Sequence, residues 1–190
     1  MSSPDHIITF FNSKFPFNHE GLAEFAGAFT ERSYPKGHLL ATPGDSESEL
    51  RFLESGIVRD YFSHQGREMN TQFYLEHEFI TDFNLLINRG ERRKFQECLS
   101  PVTLRVLDRD VFFQFMEKYQ CGKELVHEIF RRHIERNEAD AYKHFSLTPD
   151  ELYLDLLERK PRWLQSIPLY HIATYLRMTP ETLSRIRKRT

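Results

Sequence analysis

The chain carries two textures of apolar spacing. Through the first thirty residues the apolar positions fall at helical intervals. Ile7, Ile8, Phe10 and Phe11 predict a short helix after Pro4, stopped by Pro16. Leu22, Phe25, Ala26 and Phe29 recur at i, i+3, i+4 and i+7 behind a candidate N-cap at Asn18. From Ser33 to about Leu107 short apolar runs are punctuated by turn residues: Gly37, Pro43-Gly44-Asp45, Ser55-Gly56, Ser63–Gly66 and Asn88-Arg89-Gly90. The runs between them, His38–Thr42, Leu50–Glu54, Ile57–Phe62, Met69–Tyr74, Lys94–Cys98 and Pro101–Leu107, read as strands. Many short strands at intervals of roughly 8–12 residues predict an antiparallel barrel, roll or sandwich.

From Asp108 onward turn residues become rare and helix formers dominate. Asp110 is a candidate cap for a short helix through Phe112, Phe113 and Met116. Lys123–Phe145 contains neither Gly nor Pro and predicts one long helix. Its apolar stripe, Leu125, Val126, Ile129, Phe130, Ile134 and Ala141, needs a partner: either the strand block or a twin helix in a dimer. Ser146–Pro149 forms a break, with Ser146 or Thr148 capping a helix Asp150–Arg159. Pro161 ends that helix and Pro168 opens the next.

Composition narrows the class. In 190 residues there are 17 Phe against one Trp, so a large aromatic core is available and a disordered or disulfide-stapled chain is excluded. No stretch approaches the roughly 18 apolar residues of a membrane span. Met-Ser-Ser-Pro-Asp-His lacks the basic start of a secretory leader, and Cys98 and Cys121 lie in different segments without metal-ligand spacing. A cytoplasmic protein without membrane attachment is expected. The net charge of −2 conceals a division: residues 159–190 hold eight Lys/Arg and one acid, Glu181, whereas the rest sums to −9. A basic end on an acidic body points to nucleic acid.

Leu169–Lys188 supplies the sharpest pattern. Two short helices crossing at a tight turn need a small residue at the fifth of twenty positions and apolar residues at the fourth, eighth, tenth, fifteenth and eighteenth. Counting from Leu169, these are Ala173, and Ile172, Leu176, Met178, Leu183 and Ile186. Thr179 caps the second helix and Pro180 takes its first position. That helix then presents Thr179, Pro180, Glu181, Thr182, Ser184, Arg185 and Lys188 as a polar-basic face suited to a major groove. Arg pairs bidentately with guanine and Glu accepts from cytosine, so Arg185 and Glu181 are the candidate base readers. The ninth position, usually Gly because the turn favours φ > 0, is Arg177.

With those residues in view, the chain resembles the Crp/Fnr family of transcription regulators, in the branch found in Bacteroidetes. The likeness runs through Leu147-Thr148-Pro149, Tyr153, Leu154, Leu157 and all of Ile167–Lys188. It extends to Tyr34-Pro35-Lys36-Gly37, Pro43-Gly44-Asp45 and Ser55-Gly56-Ile57-Val58-Arg59 in the strand block. The resemblance implies an α+β protein: an N-terminal antiparallel β-roll (a double-stranded β-helix or jelly roll) with flanking helices, a long dimerisation helix, and a C-terminal all-helical helix-turn-helix domain. The corresponding division is 1–145, including the dimerisation helix at about 120–145, and 146–190. The chain stops at Thr190, so the wing that often follows the recognition helix is expected to be lacking.

In relatives that bind cyclic nucleotide, a Gly-Glu pair holds the ribose and an Arg-Ser/Thr pair the phosphate. Those places fall here on Thr81-Asp82 and Arg92-Arg93, with Phe83 beside them. The missing Gly and the shortened acid argue against cyclic nucleotide, and no cofactor is expected. Arg92 and Arg93 are read as pointing outward, neutralised by Glu91 and Asp82; an inward Arg would instead hold an unidentified small anionic effector. The nine histidines show no metal-ligand spacing, and acid pairs such as Glu47/Glu49 and Glu76/Glu78 beside turns read as solvated charge. No metal site and no catalytic constellation is predicted. The expected function is a homodimeric, sequence-specific regulator with double-stranded DNA and RNA polymerase as partners, not an enzyme. The competing expectation is a ligand-binding or protein-interaction β-roll that no longer grips DNA.

Overall fold

The structure, a computed structural model, describes residues 5–14, 21–120 and 122–189. Asn18, Pro4, Pro16, Cys121 and Thr190 therefore lie outside the described residues. The elements in order are α1 His6–Lys14, α2 Leu22–Gly27, β1 Thr30–Tyr34, β2 Leu39–Ala41, β3 Glu49–Ser55, β4 Val58–His64, β5 Arg67–Tyr74, β6 Glu78–Phe79, α3 Phe83–Asn88, β7 Phe95–Cys98 and β8 Val102–Asp108. They continue as α4 Arg109–Lys118, α5 Gly122–Ser146, α6 Pro149–Arg159, α7 Pro161–Ser166, α8 Leu169–Tyr175 and α9 Pro180–Arg189. The strands form two four-stranded sheets of order β1-β8-β3-β6 and β2-β7-β4-β5. Antiparallel registers join β8 to β1 and β3, β3 to β6, and β2 to β7. The fold is an antiparallel jelly roll with helices, α+β as expected. Among the described residues no helix is long and apolar enough to cross a membrane.

Chain contacts separate two units, each discontinuous in sequence: Met1–Arg59 with Tyr74–Arg132, and Asp60–Phe73 with His133–Thr190. In the first unit, the two-residue period of a strand gives β3 a double role. Leu53 enters the roll interior with Val58, Ile80, Cys98, Val102, Leu104 and Val106. Leu50 and Phe52 belong instead to a helix-bearing core with Ile7 and Phe11 of α1, Phe25 and Ala26 of α2, Leu86 of α3, Phe112 of α4 and Leu125 of α5. The abundant Phe are used here. Phe25 meets Phe11 edge-on at 5.6 Å, Phe29 at 5.2 Å and Phe115 at 5.5 Å, and Phe79 meets Phe52 at 5.0 Å. Such edge-to-face pairs add about 0.5–1.5 kcal/mol each beyond the area they bury.

In the second unit, β4 and β5 turn over at Gln65 and Gly66, both at positive φ (50° and 75°), as a two-residue hairpin matching the strand twist requires. Asn70 of β5 donates to the His171 carbonyl (3.2 Å) and to the Thr174 hydroxyl (2.6 Å), fixing α8. Phe73, Trp163 and Tyr175 form an aromatic triangle with centroids 5.1–5.9 Å apart. Thr148 caps α6 in a capping box with Glu151. Lys143 of α5 and Arg159 both pair with Asp155 of α6. Burial works against the Asp155 charge, but these cations hold its carboxyl below the usual carboxylate range.

One local expectation is corrected and one is extended. Asp108, not Asp110, caps α4, its carboxylate accepting from the Asp110 and Val111 N–H groups. Pro161 follows the end of α6 at Lys160 and also opens α7, where a missing N–H costs nothing. The strand β1, the two-residue β6 and the short helices α3 and α7 were not expected from the spacing.

The α8–α9 crossing follows the positional pattern. Ala173, Ile172, Leu176, Leu183 and Ile186 are all buried and Met178 half-buried. Arg177 carries the turn at φ 57°, the left-handed conformation anticipated for that position. Replacing Ala173 with Leu should overpack this crossing and lower stability by about 1–3 kcal/mol in urea denaturation. Arg177→Gly should act oppositely, gaining about 0.5–1 kcal/mol by relieving the turn.

Candidate functional site

The exposed face of α9 is made by its cap and its two anchors. Thr179 accepts a hydrogen bond from the Thr182 N–H at 3.2 Å, closing the first turn ahead of Pro180. Leu183 and Ile186 are buried against α8, which leaves Pro180, Glu181, Ser184, Arg185 and Lys188 in solvent and Thr182 half-buried. The Thr182 hydroxyl receives bonds from the Thr179 hydroxyl (3.2 Å) and from Arg185 Nη2 (3.4 Å). The Glu181 carboxyl is held below the usual range by its own backbone N–H, the Thr179 hydroxyl and the Arg185 charge. Arg189 turns the other way and pairs with Asp150 at 2.7 Å, tying α9 to α6. All seven residues expected at this surface are therefore gathered on one short helix and its cap.

The roll cluster differs from its expectation. Arg92 is buried, 4% exposed, and its guanidinium binds the carboxylate of Glu47, itself 5% exposed. The other Glu47 oxygen takes Arg51, also buried. Arg92 thus points inward, and Glu47 is a buried partner and not solvated charge; Arg93 alone of the pair is exposed. The reason is topological. Gly44 N–H bonds the Arg92 carbonyl and Arg92 N–H bonds the Asp45 carbonyl, both at 2.9 Å, which sets the two loops side by side. Burial without a partner is prohibitive for a guanidinium, so the carboxylate brought beside it is taken up.

The remaining cluster residues are used structurally. The Thr81 hydroxyl accepts from the Arg51 backbone N–H at 2.6 Å. Asp82 caps α3 by accepting from Leu85 N–H at 3.2 Å, while its own N–H donates to Glu47 at 3.3 Å. Phe83 packs on Phe79 at 6.1 Å. The cluster of Glu47, Arg51 and Arg92 carries one positive charge in excess, and Arg51 Nε is buried without a hydrogen-bond partner. Glu47 and Arg51 were invisible to spacing because the partners lie on separate loops and strands.

The α5 stripe divides along its length. Leu125 is buried in the helix-bearing core and Ile129, partly buried, packs against it, so these two serve the core of the first unit. Further along, Ile134, Tyr142 and Phe145 are 55%, 69% and 89% exposed. Elsewhere, burial and the neighbouring Glu97 push the Cys98 thiol up to about 11, so it stays protonated and acts as a core residue.

Residues 31–119 match the family model of the cyclic nucleotide-binding domain. A search of curated protein sequences finds no match. Among solved structures the chain is similar to FixK2 from Bradyrhizobium japonicum, at 19% identity over 85% of this chain and 83% of that one, with a TM-score of 0.73. It is also similar to the c-di-GMP-responsive global regulator CLP of Xanthomonas campestris, at 17% identity, 90% and 91% coverage and a TM-score of 0.67. The catabolite activator protein of Thermus thermophilus aligns at 20% identity, 95% and 85% coverage and a TM-score of 0.58. The fold is shared with these regulators.

Removing the carboxylate from the roll cluster tests its role. Glu47→Gln should destabilise the protein by about 3–5 kcal/mol in urea denaturation, because two buried guanidiniums lose their counter-charge. Replacing Glu47 and Arg92 together by Met should recover part of that loss.

Proposed function

We propose that this chain is a sequence-specific DNA-binding transcription regulator of Crp/Fnr type that acts as a homodimer. The single observation that carries the reading is the face of α9. Its apolar side is consumed by α8, and its other side offers Glu181, Ser184, Arg185 and Lys188 to solvent at the start of a short helix. In this reading α8 and α9 are a helix-turn-helix, α9 enters the major groove, Arg185 and Glu181 read bases, and Thr179, Pro180, Thr182, Ser184 and Lys188 meet the backbone or flanking edges. The functional division would be a sensor part over 1–145 and a DNA-binding part over 146–190. RNA polymerase is the partner met at a promoter, and the cytoplasm the compartment. The second copy is proposed to seat on the exposed apolar residues of α5, Ile134, Tyr142 and Phe145. The roll is proposed not to take cyclic nucleotide, supported by Glu47 occupying the guanidinium at the position where relatives hold phosphate.

Affinity for promoter fragments should fall steeply with salt and favour two-fold sites with half-sites roughly 10 bp apart or a multiple of that. Arg185→Ala should weaken binding to the preferred site by about 10–100-fold and relax specificity, whereas Lys188→Ala should weaken all sequences alike and lower the salt slope by about 1. No salt-dependent binding to any fragment would favour the interaction-module reading.

Phe145→Glu combined with Ile134→Lys should convert the dimer to monomer in sedimentation. A dimer that persists places its interface elsewhere.

A further inference from the structure

Outside the α9 face and the roll cluster, one group of side chains in the first unit has the composition of a metal site. His6 opens α1, Glu54 lies on β3, and His77 sits between β5 and β6. One donor atom from each, two imidazole nitrogens and a carboxylate oxygen, lie within 4.8 Å of one another. His6 Nδ1 bonds Glu54 Oε1, and the rings of His6 and His77 stack at 3.7 Å with a 26° interplanar angle. The second carboxylate oxygen, Glu54 Oε2, is buried and has no hydrogen-bond partner. The turn that delivers His77 is pinned to β3, its backbone N–H donating to the Leu53 carbonyl at 2.7 Å.

We infer that His6, Glu54 and His77 form a binding site for a divalent transition metal of the zinc class. The contact between His6 and Glu54 Oε1 leaves the second carboxylate oxygen buried and unsatisfied beside the two stacked rings. A metal ion takes a lone pair from each imidazole and neutralises the carboxylate at once. Two imidazoles and one carboxylate suit zinc and its first-row neighbours; calcium and magnesium prefer oxygen alone. Tetrahedral zinc, at roughly 2.0–2.1 Å from each ligand, sets its donors about 3.4 Å apart, so the His6–Glu54 contact would open and donors near the 4.8 Å limit would close in as the two partly solvated rings rotate. Three protein ligands leave a fourth position open.

The consequence is mechanical. Ile7 and Phe11 already bury α1 in the helix-bearing core, and a metal would add a second anchor at its first turn, joining α1 to β3 and to the β5–β6 turn. The site shares no residue with Glu47, Arg51, Arg92 or α9, so the inference stands independently of the proposed regulator function.

The test uses the whole chain, stripped with a chelator and titrated with Zn²⁺ by calorimetry, with Co²⁺ absorption reporting ligand geometry. One tight site per chain is expected, and Zn²⁺ at a hundredfold excess over Kd should raise Tm by about 5–10 °C. His77→Asn is the decisive variant, since Asn tolerates the φ of 68° at that position and should leave the metal-free Tm unchanged. It and Glu54→Gln should each weaken Zn²⁺ by more than the roughly 10–100-fold that loss of an outer ligand partner costs. Undiminished Zn²⁺ affinity in His77→Asn, absence of a stoichiometric site in the native chain, or equal stabilisation by Mg²⁺ would overturn the inference.

Discussion

A guanidinium taken out of water must find a negative charge, and the β-roll meets that constraint with one carboxylate for two cations. Glu47 stands between Arg51 of β3 and Arg92 of the loop before β7, with all three nearly inaccessible to solvent. Coulomb attraction between such groups is strong because little water screens it, and the cost of removing either partner is correspondingly high. The arrangement also sets what an anion approaching these guanidiniums would compete with. A phosphate pairing with Arg92 would compete with Glu47 for that guanidinium. The tethered carboxylate competes at an advantage that no free anion has, since it has no translational freedom left to lose. The excess charge and the buried, unpartnered Arg51 Nε remain.

β3 shows how one strand organises the first unit. Alternation sends Arg51 and Leu53 toward the roll interior and Leu50 and Phe52 toward the helices. The same strand therefore supplies a cation to the buried cluster, a wall to each of two cores, and Glu54 beside His6. A one-residue slip would exchange those roles and bury the wrong set. Pairing with β8 on one edge and β6 on the other, six and two register positions respectively, holds it in place.

Much of this was legible in the sequence, and the failures share a cause. The strand runs between turn residues, the long helix from Lys123, a cap at Ser146 or Thr148 and the Ala173 pattern are all local, so spacing finds them. α3 and α7 are each six residues, too short to show a full helical period, and β6 is two. Pro161 does stop α6, but a proline equally begins a helix, and it also starts the unexpected α7. Glu47 looked like solvated charge beside a turn because its partners lie 4 and 45 residues away and only the fold brings the distant one near. His6 and Glu54, 48 residues apart, were missed for the same reason. The α5 stripe was correctly seen as apolar, yet periodicity cannot say that Leu125 and Ile129 face a core while Ile134 and Phe145 face water.

The design of α9 explains why its polar face is available at all. A helix of ten residues is marginal on its own, and its stability comes from Leu183 and Ile186 seated on α8. That seat requires α8 to approach closely, which the methyl group of Ala173 permits, and it requires a sharp reversal, which Arg177 provides in a left-handed conformation that Gly would adopt at lower cost. Arg189 is spent on Asp150, anchoring the helix end. Among the described residues no ion pair engages Arg187 or Lys188, and Arg185 bonds only the Thr182 hydroxyl among side chains. The cations that hold the fold and those left exposed on α9 are thus different residues, so substitution at Arg185 or Lys188 leaves in place the packing that shapes the helix.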